Sequence, residues 1–255
     1  RSTLFPYTTL FRSGRRAAPA PQLRYKPMNM TGSKTLLLLA ALFLIGAVQA
    51  HCTDLASCIR KYERLEVSEQ QMAALADHNH LIDYFASLPY IQPRHRVNAD
   101  FIRALILAES NANPLAVSPK QALGLGQILY PTGRKAAREL LRQHESFRHV
   151  SSDRLRDLEP ADLHDPAINI LLTCYLVAKY NKRYGGRLDL VVSAWNAGEG
   201  SVIGRQPAGY TETLELIARI NAYFISLQKM SASPPQEPSR RKKMAQAHRR
   251  RGKSR

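Results

Sequence analysis

The feature that most restricts the fold of this chain is a series of apolar segments with helical spacing, separated by proline, glycine and capping residues. In one of them, apolar residues recur every three or four positions from Asp100 to Ser110, and Asn98 is placed to cap the helix. The other segments of this kind are 55–75, 81–88, 132–144, 166–184, 189–195 and 211–227. No stretch reads as a hairpin or as a set of alternating strands. The pattern predicts an all-α fold.

The first 27 residues do not belong to this pattern. Residues 3–13 read TLFPYTTLFRS, which is the translation of a widely used short-read sequencing adapter. We therefore interpret residues 1–27 as an adapter and read-through artefact and exclude them from fold reasoning. A natural leader rich in proline and arginine is the alternative, and the codons at the genomic locus would distinguish the two.

Residues 28–50 have the organisation of a secretory signal peptide. Lys34 supplies a positive charge, residues 36–48 are apolar apart from one glycine, and the small residues Val48 and Ala50 suit a cleavage site. The apolar run is shorter than the roughly 20 residues that span a bilayer as a helix. We therefore expect export to the periplasm with cleavage after Ala50. An uncleaved anchor, or a lipoprotein that uses Cys52, is the alternative.

The net charge of +17 comes from the two ends of the chain. Residues 1–34 and 240–255 contain sixteen of the 37 basic residues and no acidic residue, so the intervening chain is nearly neutral. This distribution excludes the domain-wide basic face that nucleic-acid binding demands. For residues 231–255 we expect a disordered basic tail, either merely solubilising or attracted to an anionic polymer or membrane surface.

The three cysteines are too few for a disulfide-built mini-protein. Export implies an oxidising compartment, in which Cys52 and Cys58 could close a small loop. Cys174 lies in the apolar run LLTCYLV and is predicted to be a buried free thiol. His78 and His80 fit a polar helix end better than a metal site. We predict neither a metal ion nor a cofactor.

Glu109 is the residue best placed for chemistry. It follows the apolar run 104–108, so its carboxyl should be partly desolvated at the end of a buried helix. Desolvation raises the pKa of a carboxyl group, which a general acid needs near neutral pH. Because most glutamates at helix ends are solvated, this feature alone does not establish catalysis.

The residues around and after Glu109 form a series of short motifs in a fixed order. Glu109-Ser110 is followed by NP at 113–114, AVSPK at 116–120, GLGQI at 124–128, DP at 165–166, NI at 169–170 and AWNAGEG at 194–200. This series resembles the soluble lytic transglycosylases of family 1 type, over about residues 97–227. The resemblance implies a lysozyme-like transglycosylase SLT domain at 93–230, preceded by a helical N-terminal extension at 51–92.

The resemblance also implies a reaction and a substrate, the glycan strands of peptidoglycan. These enzymes cleave the β-1,4 bond between N-acetylmuramic acid (MurNAc) and N-acetylglucosamine (GlcNAc) without water and leave a 1,6-anhydro-MurNAc end. Glu109 would first protonate the glycosidic oxygen and then take the proton of the C6 hydroxyl. One carboxyl is then sufficient, whereas ordinary glycosidases use two.

The same resemblance implies a set of substrate-binding residues, which is Ser110, Ser118, Gly124, Gln127, Trp195 and Asn196. Ser118 and Gln127 would hydrogen-bond sugar or peptide groups, or orient Glu109. Gly124 would let the backbone approach the glycan closely. Asn196 would present its amide to an N-acetyl group, and Trp195 would either pack in the core or stack on a sugar.

Three positions depart from the family pattern. Gly126 replaces a methionine, Thr173 replaces a helix-packing glycine, and Leu216 stands where a tyrosine would lie near the catalytic carboxyl. Two alternatives stay open, the second of which is motivated by Gly126 and Leu216. One is a hydrolytic muramidase with Glu199 or Asp165 as a second carboxylate, and the other is a non-catalytic peptidoglycan-binding protein.

The partners follow from the same resemblance. We expect a monomer that acts on peptidoglycan strands and binds no specific nucleic acid. Small exported enzymes of this type also resemble the wall-opening accessories of secretion or conjugation machines, and that role is an analogy only.

Overall fold

The computed structural model describes residues 52–91, 96–143 and 146–232. The predicted signal peptide, the adapter-like segment and nearly all of the basic tail lie outside these residues. The described helices are α1 Leu55–Lys61, α2 Glu69–Ala76, α3 Asn79–Ala86, α4 Ala99–Ser110, α5 Tyr130–Leu141, α6 Ser152–Arg156, α7 Pro166–Tyr184, α8 Leu188–Ala197 and α9 Thr211–Ala232. Short 3-10 turns lie at Pro160–His164 and Glu199–Ser201.

Local capping explains where the two central helices begin and end. The Asn98 side chain accepts hydrogen bonds from the N–H groups of Asp100 and Phe101 at the start of α4, as the sequence predicts. Asp165 caps α7 in the same way, and Gly185 ends it in the left-handed conformation with φ 61°. These local signals mark where α4 begins and where α7 begins and ends.

The core is built around α4 and α7. The residues of α4 from Ala104 to Ala108 are all buried, and α7 is buried from Ile168 to Val177. Helix α4 packs against α9, whereas α7 packs against α3, α5 and α8. The polar residues at the ends of α4 and α7 therefore lie where these helices meet the surrounding elements. None of the described helices is long and apolar enough to cross a membrane.

The structure corrects the prediction of one helix over 55–75. Helix α1 ends at Lys61, and α2 begins after Ser68, whose side chain accepts a hydrogen bond from the N–H of Gln71 in a capping box. The N–H of Val67 donates to the Ser226 hydroxyl of α9 at 3.0 Å. A local cap and a tertiary hydrogen bond thus interrupt a helical pattern.

The prediction that the chain has no hairpin is also wrong. Strands β1 (Ala122–Leu123) and β2 (Ile128–Leu129) pair antiparallel, with Ala122 opposite Leu129 and Leu123 opposite Ile128. Two residues per strand are too few to show an alternating pattern. We call residues 124–127, which connect the two strands, the hairpin turn.

The N-terminal part of the described chain is tied down by a disulfide. Cys52 and Cys58 are bonded, and both pack with Leu214 and Ala218 of α9 in a small cluster of buried residues. The loop that the sequence allowed is therefore formed. Cys174 is a buried free thiol as predicted, and burial raises its pKa well above the usual range.

Candidate active site

Glu109 is the penultimate residue of α4 and lies at the end of its buried apolar run. Its side chain is partly buried, and burial raises the pKa of the carboxyl from 4.5 to about 7. A group with this pKa is present in both protonation states near neutral pH. It can therefore give a proton in one step and take one back in the next.

The indole of Trp195 on α8 is the direct polar partner of this carboxyl. Its Nε1–H donates a hydrogen bond to Glu109 Oε1 at 2.9 Å. This bond favours the carboxylate form and so opposes the effect of burial on the pKa of Glu109. The sequence predicted that Trp195 would either pack in the core or stack on a sugar. Neither prediction included its hydrogen bond to Glu109.

Two charged side chains of α9 act on Glu109 from the other side. The Arg219 guanidinium lowers the pKa of Glu109, and the Glu212 carboxylate raises it. Lys120 pairs with Glu212 at 2.8 Å, and this hydrogen-bonded pair holds the pKa of Glu212 below its usual value. The salt bridge also joins the loop after Ser118 to the first turn of α9.

Asn169 of α7 fixes the hairpin turn beside the carboxyl. Its Oδ1 accepts from the N–H of Gly126 at 2.8 Å, and its Nδ2 donates to the carbonyls of Leu123 and Leu163 at 3.0 and 2.7 Å. The side chain is fully buried, so each of these bonds satisfies a group that water does not reach. The sequence analysis quoted Asn169 within a motif but assigned it no role.

Gly124 packs closely against the rest of the protein on the side where other residues carry a Cβ. Its φ is +73°, and a Cβ at this position would overlap the carbonyl oxygen of Leu163 and the Nδ2 of Asn169. Glycine is therefore required here by conformation and by close packing. Its predicted contact with the glycan remains a prediction.

Ser110 joins α4 to the hairpin turn. Its hydroxyl donates to the carbonyl of Leu125 at 2.7 Å and lies 3.2 Å from the carbonyl of Ile106 in its own helix. Because Ser110 directly follows Glu109, this bond fixes the end of α4 against the turn. The structure thus gives Ser110 a role in positioning, and its contact with substrate remains a prediction.

Ser118 and Gln127 organise the loop that leads into the hairpin. The Ser118 hydroxyl accepts from the N–H of Ala122 at 2.9 Å. The Gln127 amide donates to the carbonyls of Ala116 and Gly124 at 3.2 and 2.9 Å. Both predicted residues therefore lie in the segment that forms the hairpin, with these groups bonded to backbone. The part of the expectation that concerns sugar or peptide groups remains a prediction.

Asn196 is bound to the start of α9. Its Oδ1 accepts from the hydroxyl of the buried residue Thr213 at 2.6 Å, and a hydrogen bond from Asn196 contributes to the low pKa of Glu212. The end of α8 is thereby bonded to α4 through Trp195 and to α9 through Asn196. No role at the site was predicted from the sequence for Thr213, Glu212 or Arg219.

Comparison with known proteins assigns these features to a family. Residues 90–212 match the family model described as the transglycosylase SLT domain. This chain carries a transglycosylase SLT domain. The resemblance to the soluble lytic transglycosylases is therefore confirmed, and so is the predicted all-α, lysozyme-like fold.

Solved structures of lytic transglycosylases are similar to this chain at low sequence identity. The complex of a 70-kDa soluble lytic transglycosylase with bulgecin A has a TM-score of 0.51 and 18% identity, covering 84% of this chain and 39% of that one. The 70-kDa enzyme of Escherichia coli has a TM-score of 0.48 and 18% identity, with coverages of 71% and 33%. An inactive mutant of the lytic transglycosylase Slt from Pseudomonas aeruginosa has a TM-score of 0.45 and 19% identity, covering 78% of this chain and 31% of that one. This chain thus spans about a third of their length.

Two of the departures from the family pattern meet in the SLT domain. A Cβ on Gly126 would overlap the hydroxyl of Thr173 on α7. Thr173 is fully buried, and its hydroxyl has no hydrogen-bond partner among the described residues. The Thr173 hydroxyl therefore occupies the space in which a side chain at position 126 would lie. The third departure, Leu216, is buried and offers no hydroxyl.

The two carboxylates considered for a hydrolytic site are bound elsewhere in the SLT domain. Asp165 caps α7 and pairs with Arg154 at 2.7 Å. Glu199 pairs with Arg183 at 2.5 Å. No group of three or more histidine, cysteine or acidic residues suited to a metal ion occurs within the described ranges. Glu212 acts electrostatically on Glu109, although it was not one of the carboxylates predicted for a hydrolytic site.

Proposed function

We propose that this SLT domain cleaves the β-1,4 bond between MurNAc and GlcNAc in peptidoglycan without water and leaves 1,6-anhydro-MurNAc ends. The observation that carries the proposal is the state of Glu109. A single partly buried carboxyl whose pKa is raised to about 7 lies beside the hairpin turn of an SLT domain. This is the property that a group needs when it must act first as acid and then as base.

The reaction requires two proton transfers at one carboxyl. Protonated Glu109 gives its proton to the glycosidic oxygen while the bond from C1 to that oxygen breaks. The acetamido oxygen of the same sugar stabilises the positive charge at C1. The Glu109 carboxylate then removes the proton of the C6 hydroxyl, whose oxygen bonds to C1. Glu109 ends protonated, so no water is consumed and the residue is ready for the next cycle.

The surroundings of the other carboxylates support a reaction with one acid/base group. A hydrolytic enzyme needs a second carboxylate that is free to activate a water molecule. Asp165 and Glu199 are each bound to an arginine, and Glu212 is bound to Lys120. An internal hydroxyl of the substrate removes the need for such a group.

Exposed apolar side chains next to the site offer surfaces for sugar rings. Val117 precedes Ser118, and Tyr210 precedes α9; their exposed fractions are 55% and 62%. Aromatic and apolar faces suit the flat C–H faces of sugars, while polar groups nearby select their substituents. Ser118, Gln127 and Asn196 remain our candidates for those polar contacts.

We expect the Glu109→Gln variant to decide the function. Removing the acidic proton should lower the rate of peptidoglycan cleavage by about 10²–10⁴-fold, which is the usual contribution of a general acid. Activity is measured by zymography, and the products of the wild-type protein are identified by mass spectrometry. The proposal requires anhydro ends.

Glu199→Gln is the matched control, because Glu199 is bound to Arg183 and should not be needed for the reaction. Reducing ends, together with a large loss of activity in Glu199→Gln, would instead show a hydrolytic muramidase. Equal inactivity of the wild type and Glu109→Gln, with binding retained, would show a non-catalytic protein.

The location and partners of the chain remain proposals that rest on sequence alone. We propose that it acts in the periplasm after cleavage at Ala50, and that the basic tail contacts an anionic polymer or membrane surface. N-terminal sequencing of the exported chain would show whether His51 is its first residue. Assistance to a secretion or conjugation apparatus is a further possibility that neighbouring genes would test.

A further inference from the structure

In the hydrogen bond between Trp195 and Glu109, the indole can only be the donor. Trp195 Nε1 lies 2.9 Å from Glu109 Oε1. An indole N–H can donate a hydrogen bond but cannot accept one, unlike a hydroxyl group. Glu109 Oε1 must therefore act as an acceptor in this bond whether the carboxyl is protonated or ionised.

We propose that Trp195 is a positioning residue that gives the two carboxyl oxygens of Glu109 different tasks. Oε1 is held by the indole, and Oε2 carries the acidic proton and exchanges it with the glycan. This inference rests on the proposed function of Glu109 and goes beyond it, because it names which oxygen performs both proton transfers.

The surroundings of Trp195 suit this role. Ala194, on its N-terminal side, is buried, and Asn196, on its C-terminal side, is bound to Thr213 of α9. Trp195 itself is half-buried and packs against the main hydrophobic core. Leu216, where the family pattern has a tyrosine, is buried and offers no hydroxyl. A donor packed in this way orients Glu109 through Oε1 and leaves Oε2 to carry the proton.

The charged groups that act on Glu109 define what a pH experiment should show. Arg219 and Glu212 of α9 have opposite effects on the pKa of Glu109, and the bond from Trp195 of α8 lowers it. Removing the indole N–H while leaving both charged groups in place should therefore raise the pKa of Glu109. Because the first step needs the protonated acid, kcat/KM should then stay high to a more alkaline pH.

A direct test uses the fact that the chain contains one tryptophan. The indole Nε1–H then gives one signal in a ¹⁵N–¹H spectrum of the protein with its single labelled tryptophan. We expect this signal to shift with a midpoint near pH 7 and to stop titrating in Glu109→Gln. A signal that does not move between pH 5 and 9, or that moves equally in Glu109→Gln, would overturn the inference without reference to activity.

Kinetics of Trp195→Phe provide the second test. In the pH profile of kcat/KM, we expect the alkaline limb to move to higher pH by about one unit. A shift of this size corresponds to the loss of one hydrogen bond to the charged form of Glu109. Tyr175→Phe is the matched control, because it removes an aromatic donor from Glu139, whose bond of 2.8 Å lies on another pair of helices. An unchanged limb in Trp195→Phe, while Glu109→Gln is inactive, would refute the role of Trp195 and leave the proposed function standing. Activity in Glu109→Gln would refute the function itself.

Discussion

Two glycine-bearing segments of the SLT domain look alike in sequence and differ in their surroundings. In the hairpin turn, a Cβ on Gly124 or Gly126 would overlap neighbouring atoms of α7 or the preceding 3-10 turn. In the segment 198–209, an added Cβ would meet nothing within 4 Å at any of its glycines, which are Gly198, Gly200, Gly204 and Gly209. The glycines of the hairpin turn permit close packing, whereas no packing constraint requires the glycines of the segment 198–209.

The difference corresponds to what each segment does for Glu109. The hairpin turn is fixed by the bond from the Gly126 N–H to Asn169, whose amide also binds Leu123 of β1 and Leu163 of the 3-10 turn, and by the bond from Ser110 to Leu125. The segment 198–209 is bonded as well, through Glu199 to Arg183 and through the N–H of Ala208 to Ser193, but no neighbouring atom lies within 4 Å of a Cβ added to its glycines. A glycine-rich motif can therefore mark either a rigid support or an open loop, and only the neighbouring atoms distinguish them.

The largest effect is expected from Gly124→Ala. The new Cβ would overlap the carbonyl oxygen of Leu163, which belongs to the backbone and cannot move aside, and φ would remain at +73°. We expect the free energy of unfolding to fall by about 3 kcal/mol. Urea denaturation followed by circular dichroism measures it.

Gly204→Ala separates the two causes, because Gly204 also has a positive φ of +58° but faces open space. Conformational strain alone should cost about 1 kcal/mol there. Equal losses in the two variants would mean that packing is not what distinguishes the segments.

An intermediate effect is expected where Gly126 meets Thr173. Gly126→Ala alone should destabilise by about 2 kcal/mol, since its Cβ overlaps the Thr173 hydroxyl. In the double variant with Thr173→Ala that overlap is absent, so we expect part of the loss to be recovered. A coupling energy of about 1 kcal/mol in the double-mutant cycle would show it. Simple additivity of the two changes would contradict the pairing.

The smallest effect is expected from Gly200→Ala. This glycine faces open space and has no positive φ, so alanine should fit without strain. We expect a change in the free energy of unfolding within about 0.5 kcal/mol, or a slight gain from the less flexible unfolded chain. Thermal unfolding would measure it, and a loss comparable to that of Gly124→Ala would remove the distinction between the two segments.

The sequence predicted what local rules control. Helical spacing and caps predicted α4 and α7, and the apolar run before Glu109 predicted a desolvated carboxyl. The bond from Trp195 to Glu109 could not be predicted in this way, because the two residues are 86 positions apart. The contact between Gly126 and Thr173 likewise depends on how the hairpin turn packs on α7. The break between α1 and α2 has two causes. The capping box of Ser68 and Gln71 is a local signal that helical spacing alone overlooks, whereas the bond from Val67 to Ser226 of the last helix follows from the tertiary fold.

The solitary tryptophan has a practical consequence for studying this molecule. Its ultraviolet emission originates beside the carboxyl to which we assign bond cleavage, and no second indole contributes a background. Unlabelled glycan fragments can therefore be titrated against the native protein, and a change in brightness or colour reports on that location. The chain thus contains an intrinsic optical probe at the place where occupancy matters most.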